Sequence, residues 1–213
     1  MKDIVIYGAG GFGKEVACVL KRINNIEPQW NFLGFIDDTM SPGTTNSYGT
    51  ILGGYDFLNQ YSKPINVCIA IGSANSIYTV VSRIKNPLVQ YPNIIDPSVL
   101  FVDKESVKIG KGNILYVHTT ISCNVTIGDF NILNGSVGVG HDAVIGNFNI
   151  LMPNVNISGN VIIGERNTFG LKSSVIQRIS IGNDVTVGAH SFIMRRPKDG
   201  QLYMGVPATI VKI

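Results

Sequence analysis

The chain has 213 residues, of which 45% are hydrophobic and 15% charged, a balance that fits a soluble, well-buried protein of one large or two modest domains. Its formal net charge of +3 is small and scattered, which excludes recognition of nucleic acid through a basic face, and no run of about 18 apolar residues is present to span a membrane. Cys18, Cys68 and Cys123 are odd in number and widely spaced, so buried free thiols are expected rather than a disulfide framework or a metal site.

At the start, Met1-Lys2-Asp3-Ile4 leads straight into a strand pattern and lacks the apolar core and cleavage site of a secretory leader, so a cytoplasmic protein is expected. Ile4-Val5-Ile6-Tyr7 predicts a strand, Gly8-Ala9-Gly10-Gly11-Phe12-Gly13 a loop, and Lys14 to Ile23 a helix. Glycines in such a loop let backbone N–H groups approach an anion at the positive end of the helix. A second β run from Trp30 to Ile36 ends in Asp37-Asp38, and a third from Ile65 to Ile71 ends in Gly72, with a helix following from about Asn75 to Ile84. Three such strands make half of a doubly wound sheet, whose ligands sit beyond the carboxyl ends of the strands. The stretch Gly43-Thr44-Thr45-Asn46-Ser47 reads as a flexible surface loop, and Tyr91-Pro92 to Pro97 as a linker. The expected domains are therefore 1–92, Rossmann-like, and 97–213.

From Ile109 to Ile193 an aliphatic or phenylalanine side chain falls at every sixth position, fifteen times in phase. An Ile-Gly pair is superposed on this at Gly110, Gly128, Gly146, Gly164 and Gly182, each 18 residues after the last. An amphipathic helix would place apolar residues at i, i+3, i+4 and i+7, and a sandwich strand would alternate in twos; neither keeps this phase. Three sixes make one coil, so the spacing predicts a hexapeptide-repeat β-helix whose stacked coils share one core. The positions two before each aliphatic, including Asn113, Thr119, Asn131 and Asn149, are mostly small or Asn, and they are assigned to tight corners because Asn tolerates left-handed backbone.

The glycine loop matches Gly-x-Gly-x-x-Gly in letters, which by itself suggests a dehydrogenase. The chain turns to β-helix near residue 97 instead of supplying a second half-sheet, which favours a mononucleotide or nucleotide-sugar pocket; glycines serving only a tight strand-to-helix turn remain the plain alternative. A short Rossmann-like domain with this loop and Phe35-Ile36-Asp37-Asp38, then hexapeptide repeats with Gly140-His141-Asp142 and a terminal Gly205-Val206-Pro207-Ala208, resembles the NeuD/PglD-like sugar acyltransferases over essentially the whole chain. The resemblance implies a left-handed parallel β-helix and a homotrimer with each active site in the cleft between neighbouring β-helices. It also implies acetyl-CoA as cosubstrate, and as acceptor either the 4-amino group of a nucleotide-linked 4-amino-4,6-dideoxy sugar or a hydroxyl of sialic acid.

His141 lies two residues past the inward Val139 and is expected to leave the surface of the prism, where an imidazole accepts a proton from an attacking amine or hydroxyl. Asp142 is expected to orient it. The resemblance maps acetyl-CoA contacts onto Gly159, Leu171, Ala189 and Ile150, the last at a position where relatives can carry His. It maps the nucleotide-linked sugar onto Gly10, Gly11, Phe12, Asp37, Asp38 and Gly72. Lys172, Arg178, Arg195, Arg196 and Lys198 are phosphate candidates against the plain reading of solvated charge. His118 and His190 lack the Gly-His-Asp context. No acylated nucleophile and no metal is expected, since the histidines and acidic residues show no ligand spacing. A non-catalytic scaffold that binds a nucleotide sugar is the reading of another class.

Overall fold

In the computed structural model, which describes residues 1–211, the chain divides into two compact units, Met1–Pro97 and the remainder from Ser98. Lys212 and Ile213, at the end of the expected second domain, lie outside the described residues.

The first unit runs β1 (Lys2–Tyr7), α1 (Gly11–Ile26), β2 (Trp30–Ile36), β3 (Thr45–Asn46), β4 (Gly49–Gly53), α2 (Tyr55–Gln60), β5 (Ile65–Ile69), α3 (Ala74–Arg83) and β6 (Val89–Gln90). The sheet order is β3-β4-β2-β1-β5-β6, with β1 between β2 and β5 and parallel to both. Helix α1 buries Val16, Ala17, Val19, Leu20 and Ile23, one stripe at helical spacing. It ends where Pro28 pushes Glu27 into extended geometry (φ −142°, ψ 114°).

Three local expectations are corrected. The helix of the first unit begins at Gly11 rather than Lys14, and β5 stops at Ile69 instead of Ile71. The 43–47 stretch is not simply a loop: Thr45–Asn46 pairs antiparallel with β4, and the Asn46 carboxamide accepts from the backbone N–H of Tyr48 and Gly49. Strand β4 and helix α2 have no periodic signal because they are five and six residues long, with only Ile51, Gly53 and Leu58 buried between them.

The second unit is a left-handed parallel β-helix. Strands of two residues stack in parallel at a step of one coil, as in Ile121↔Val139, Val139↔Ile157 and Ile127↔Ile145. The second residue of each strand points inward, and from Leu115 to Ile193 every sixth side chain is 3% exposed or less. Ile109, in the first coil, is only half-buried.

The corners are left-handed, but not where Asn predicted them. Thirteen non-glycine residues, from His118 to His190 at steps of six, hold φ between 55° and 62°. The Asn positions two before each aliphatic instead point into the prism: Asn113, Asn131, Asn149 and Asn167 are fully buried. The Oδ1 of Asn113, Asn131 and Asn149 accepts from the backbone N–H and side-chain Nδ2 of the Asn one coil on, as in Asn149 to Asn131 at 2.9 and 3.0 Å, and Asn167 Oδ1 ends the ladder on the Val185 N–H. Each Nδ2 also donates to the carbonyl of a repeat glycine, as Asn149 does to Gly164 at 2.9 Å. Buried amides must find partners, and here the coil repeat supplies one at every level. It also explains the Ile-Gly pairs: a Cβ on Gly128 would lie 2.7 Å from the carbonyl oxygen of Gly146, so any side chain there would force the coils apart.

Candidate active site

After the inward Val139, Gly140 brings the chain to a corner at which His141 and Asp142 stand outside the prism, their side chains 55% and 44% exposed. The corner is fixed by its neighbours above and below, since Asp142 N–H donates to the Cys123 carbonyl and Asn160 N–H to that of His141. His141 Nδ1 lies 2.7 Å from Asp142 Oδ2, and Asn124 Nδ2 donates to Asp142 Oδ1 at 3.2 Å. The hydrogen bond to His141, then the one from Asn124, hold the Asp142 carboxyl below its ordinary range, so it is an anion at neutral pH. An anion on Nδ1 keeps the proton there and leaves Nε2 as the acceptor.

Gly159, one coil further along the same corner, lies against this ring. A Cβ added there would be 2.6 Å from Nε2 and 2.7 Å from Cε1 of His141. Leu171 and Ala189 occupy a different corner and are both exposed. Between the two corners runs one flat face of the prism, the sheet containing Gly138–Val139, Asn156–Ile157 and Ser174–Val175. Of its outward residues, Gly138, Asn156 and Ser174 are small or polar, a floor between Thr120 and Phe192 that lets an extended ligand lie close to the backbone.

Ile150 does not belong to that face. It pairs with Ile132 and Thr168 on another side of the prism and is 2% exposed, so its side chain has no surface to offer acetyl-CoA. The expectation for Ile150 is corrected on that ground. Lys172, Arg178, Arg195, Arg196 and Lys198 are all exposed, as are His118 and His190 at the corner of Leu171 and Ala189. Among the described residues no group of three or more His, Cys, Asp or Glu is placed to hold a metal.

In the first unit the loops after β1, β2 and β5 lie side by side, because those strands are adjacent and parallel. The glycines of the fingerprint divide by role. A Cβ on Gly8 would meet the Ala70 carbonyl oxygen at 2.5 Å, and one on Gly13 the Gly8 carbonyl oxygen at 1.9 Å, so these two permit close packing. Gly10, Gly11 and Gly72 face open space, and Gly10 precedes α1 with no side chain capping the helix. Open backbone at an uncapped helix start is suited to a phosphate. Phe12, in the first turn of α1, is half-buried.

Asp37 and Asp38 already carry structural work. Asp37 accepts from Ala9 N–H at 3.0 Å and from both N–H and Oγ1 of Thr39, tying the glycine loop to the end of β2. Burial raises its pKa, but the Thr39 and Ala9 hydrogen bonds outweigh that and hold it below the usual carboxylate range. Asp38 caps the start of α2 through Tyr55 N–H and accepts from the Tyr7 hydroxyl, whose pKa burial and this hydrogen bond push far up. The sequence reading missed Asn124 and Tyr7. Asn124 carried a signal, since it lies 18 residues before Asp142 and the coil repeat stacks the two.

Residues 3–84 match the PglD N-terminal domain family. The whole chain is similar in structure to a variant of the perosamine N-acetyltransferase of Caulobacter crescentus in complex with CoA and GDP-perosamine, at 26% identity over 100% of this chain and 98% of that one, TM-score 0.88. It is similar to WeeI from Acinetobacter baumannii AYE, at 29% identity over 99% of this chain and 100% of that one, TM-score 0.87. The acetyltransferase domain of PglB from Neisseria gonorrhoeae FA1090 in complex with acetyl coenzyme A is similar at 25% identity over 99% of each chain, TM-score 0.85. No curated protein matches the sequence.

Proposed function

We propose that the chain is a NeuD/PglD-like sugar acyltransferase that moves the acetyl group of acetyl-CoA to the 4-amino group of a nucleotide-linked 4-amino-4,6-dideoxy sugar. The observation that carries this reading is the exposed His141–Asp142 pair at the edge of a narrow, small-residue face. The amine nitrogen attacks the thioester carbonyl, the carbon–sulfur bond breaks, and His141 Nε2 takes the proton lost by nitrogen and returns it to the departing sulfur. Asp142 stabilises the imidazolium formed between those two transfers. Holding amine and thioester together removes much of the entropic barrier, so no acylated side chain is needed.

The face between the corners of His141 and Ala189 takes the pantetheine arm, with Gly159, Leu171 and Ala189 along its borders. Gly10, Gly11 and Gly72 receive the nucleotide phosphates at the start of α1, and Asp37 and Asp38 shape that pocket while keeping lone pairs for sugar hydroxyls. The protein acts as a homotrimer, in which a neighbouring β-helix provides the second wall of the cleft. That the acceptor is an amine on a nucleotide sugar draws on the perosamine N-acetyltransferase in complex with CoA and GDP-perosamine.

The test is free CoA thiol released from acetyl-CoA with UDP-, dTDP- and GDP-linked 4-amino sugars. His141→Ala is expected to lower kcat by about 10²- to 10⁴-fold with its melting temperature unchanged. Turnover with free sialic acid and with none of the nucleotide sugars would replace this reading by O-acetylation. An unaltered rate in His141→Ala would remove the base.

A further inference from the structure

We propose that Asn124 is a positioning residue for the base, acting through Asp142. The inference rests on the reading of His141 as general base. Ser106, Asn124 and Asp142 follow one another at steps of 18 along a single corner, so the three are stacked in successive coils. Ser106 Oγ donates to the Asp103 carbonyl at 3.0 Å and accepts the Asn124 backbone N–H at 2.8 Å. With its backbone held at φ 56°, Asn124 directs Nδ2 at Asp142 Oδ1, and Asp142 Oδ2 is left for His141 Nδ1.

The amide does what a second water or cation would not. A carboxylate on an exposed corner rotates freely and offers either oxygen to the ring, and a cation there would draw charge away from the imidazole. A neutral donor fixes the rotation while leaving the negative charge opposite Nδ1. Gly159 completes the setting from the other side, since its bare Cα leaves room for the ring beside the next coil. The corner around the pair offers Cys123 and Asn124 from the coil before and Gly159 and Asn160 from the coil after; of these four only Cys123 titrates.

Two variants test it. Asn124→Gly keeps the left-handed corner, because glycine adopts positive φ without strain, and removes only the amide. It is expected to lower kcat about tenfold, the range for partners one step removed from a reacting group, with KM for acetyl-CoA and for the sugar nucleotide unchanged. Asn124→Asp places a second anion beside the pair, favours the imidazolium, and is expected to move the acid limb of kcat/KM up by about one pH unit. The ring ¹⁵N shifts of His141, separated from those of His118 and His190 by the His141→Ala spectrum, supply a readout independent of activity. In the wild type they are expected to report the Nδ1-protonated form, and in Asn124→Gly a mixture of tautomers. Wild-type kcat together with an unchanged tautomer in Asn124→Gly would overturn the proposal. Full turnover in His141→Ala would instead sink the base itself, and the ¹⁵N shifts would still judge the tie between Asn124 and the ring.

Discussion

Adding a single methyl group at Gly159 separates two roles for that residue. The three atoms nearest the new Cβ all belong to the His141 ring, at 2.6 Å from Nε2, 2.7 Å from Cε1 and 3.0 Å from Cδ2. Ordinary carbon contacts lie at roughly 3.5–4.0 Å, so the ring must withdraw by about 1 Å. The coil does not need to move, because the side chain alone relieves the clash. Withdrawal tilts the imidazole away from Asp142 Oδ2, now 2.7 Å from Nδ1, and carries Nε2 off the line of the attacking nitrogen. A misplacement of about 1 Å costs roughly 10²-fold in rate, equal to about 2.7 kcal/mol in the barrier. The Gly159→Ala protein, assayed by CoA thiol release, is therefore expected to show kcat about a hundredfold down, with KM for acetyl-CoA and the melting temperature close to wild type. A normal kcat would refute the reasoning, and a raised KM for acetyl-CoA beside it would leave Gly159 acting only through its place along the pantetheine arm.

Asp142→Asn removes the anion from Nδ1, and kcat is expected to fall by at least about tenfold. Without a neighbouring negative charge the imidazolium is less favoured, so the acid limb of kcat/KM should move to lower pH; movement upward would contradict the pairing. In the native protein the lowered Asp142 pKa keeps the carboxylate charged through neutral pH, and the tie is lost only as pH falls through that depressed value. Asn149→Ala acts on stability instead. It leaves the Asn167 backbone N–H and the Gly164 carbonyl without these partners, while Asn131 Oδ1 keeps the backbone N–H of position 149 and Asn167 Nδ2 keeps the Gly182 carbonyl. At about 1–3 kcal/mol for each buried group left unsatisfied, a loss of about 3–5 kcal/mol is expected in denaturant unfolding. A shift below about 1 kcal/mol would mean that the ladder relaxes around the gap.

The β-helix was legible because its physical cause repeats. Every coil needs an inward side chain on each side, and fifteen phased positions from Ile109 to Ile193 record that need. The Rossmann-like strands were legible for the simpler reason that Ile4–Tyr7 and Ile65–Ile69 are buried apolar runs ending in glycine-rich loops. Strand β4 and helix α2 were not, since segments so short leave no period to detect. Asn was misread at the corners because its tolerance of positive φ is a local property. Its inward ladder depends on what stands one coil away.

The same distinction divides the site. His141 and Asp142 stand adjacent in the chain, and their exposure follows from counting two residues past an inward position; the sequence determined that much. The remainder depends on which residues the stacking brings together across 18 positions: Asn124 against Asp142, Gly159 under the ring, and Ile150 turned to another side and buried. A repeat fixes which positions lie above one another. Whether two stacked residues share a proton, collide or merely pass depends on side-chain rotation at a corner, and only the tertiary structure decides that.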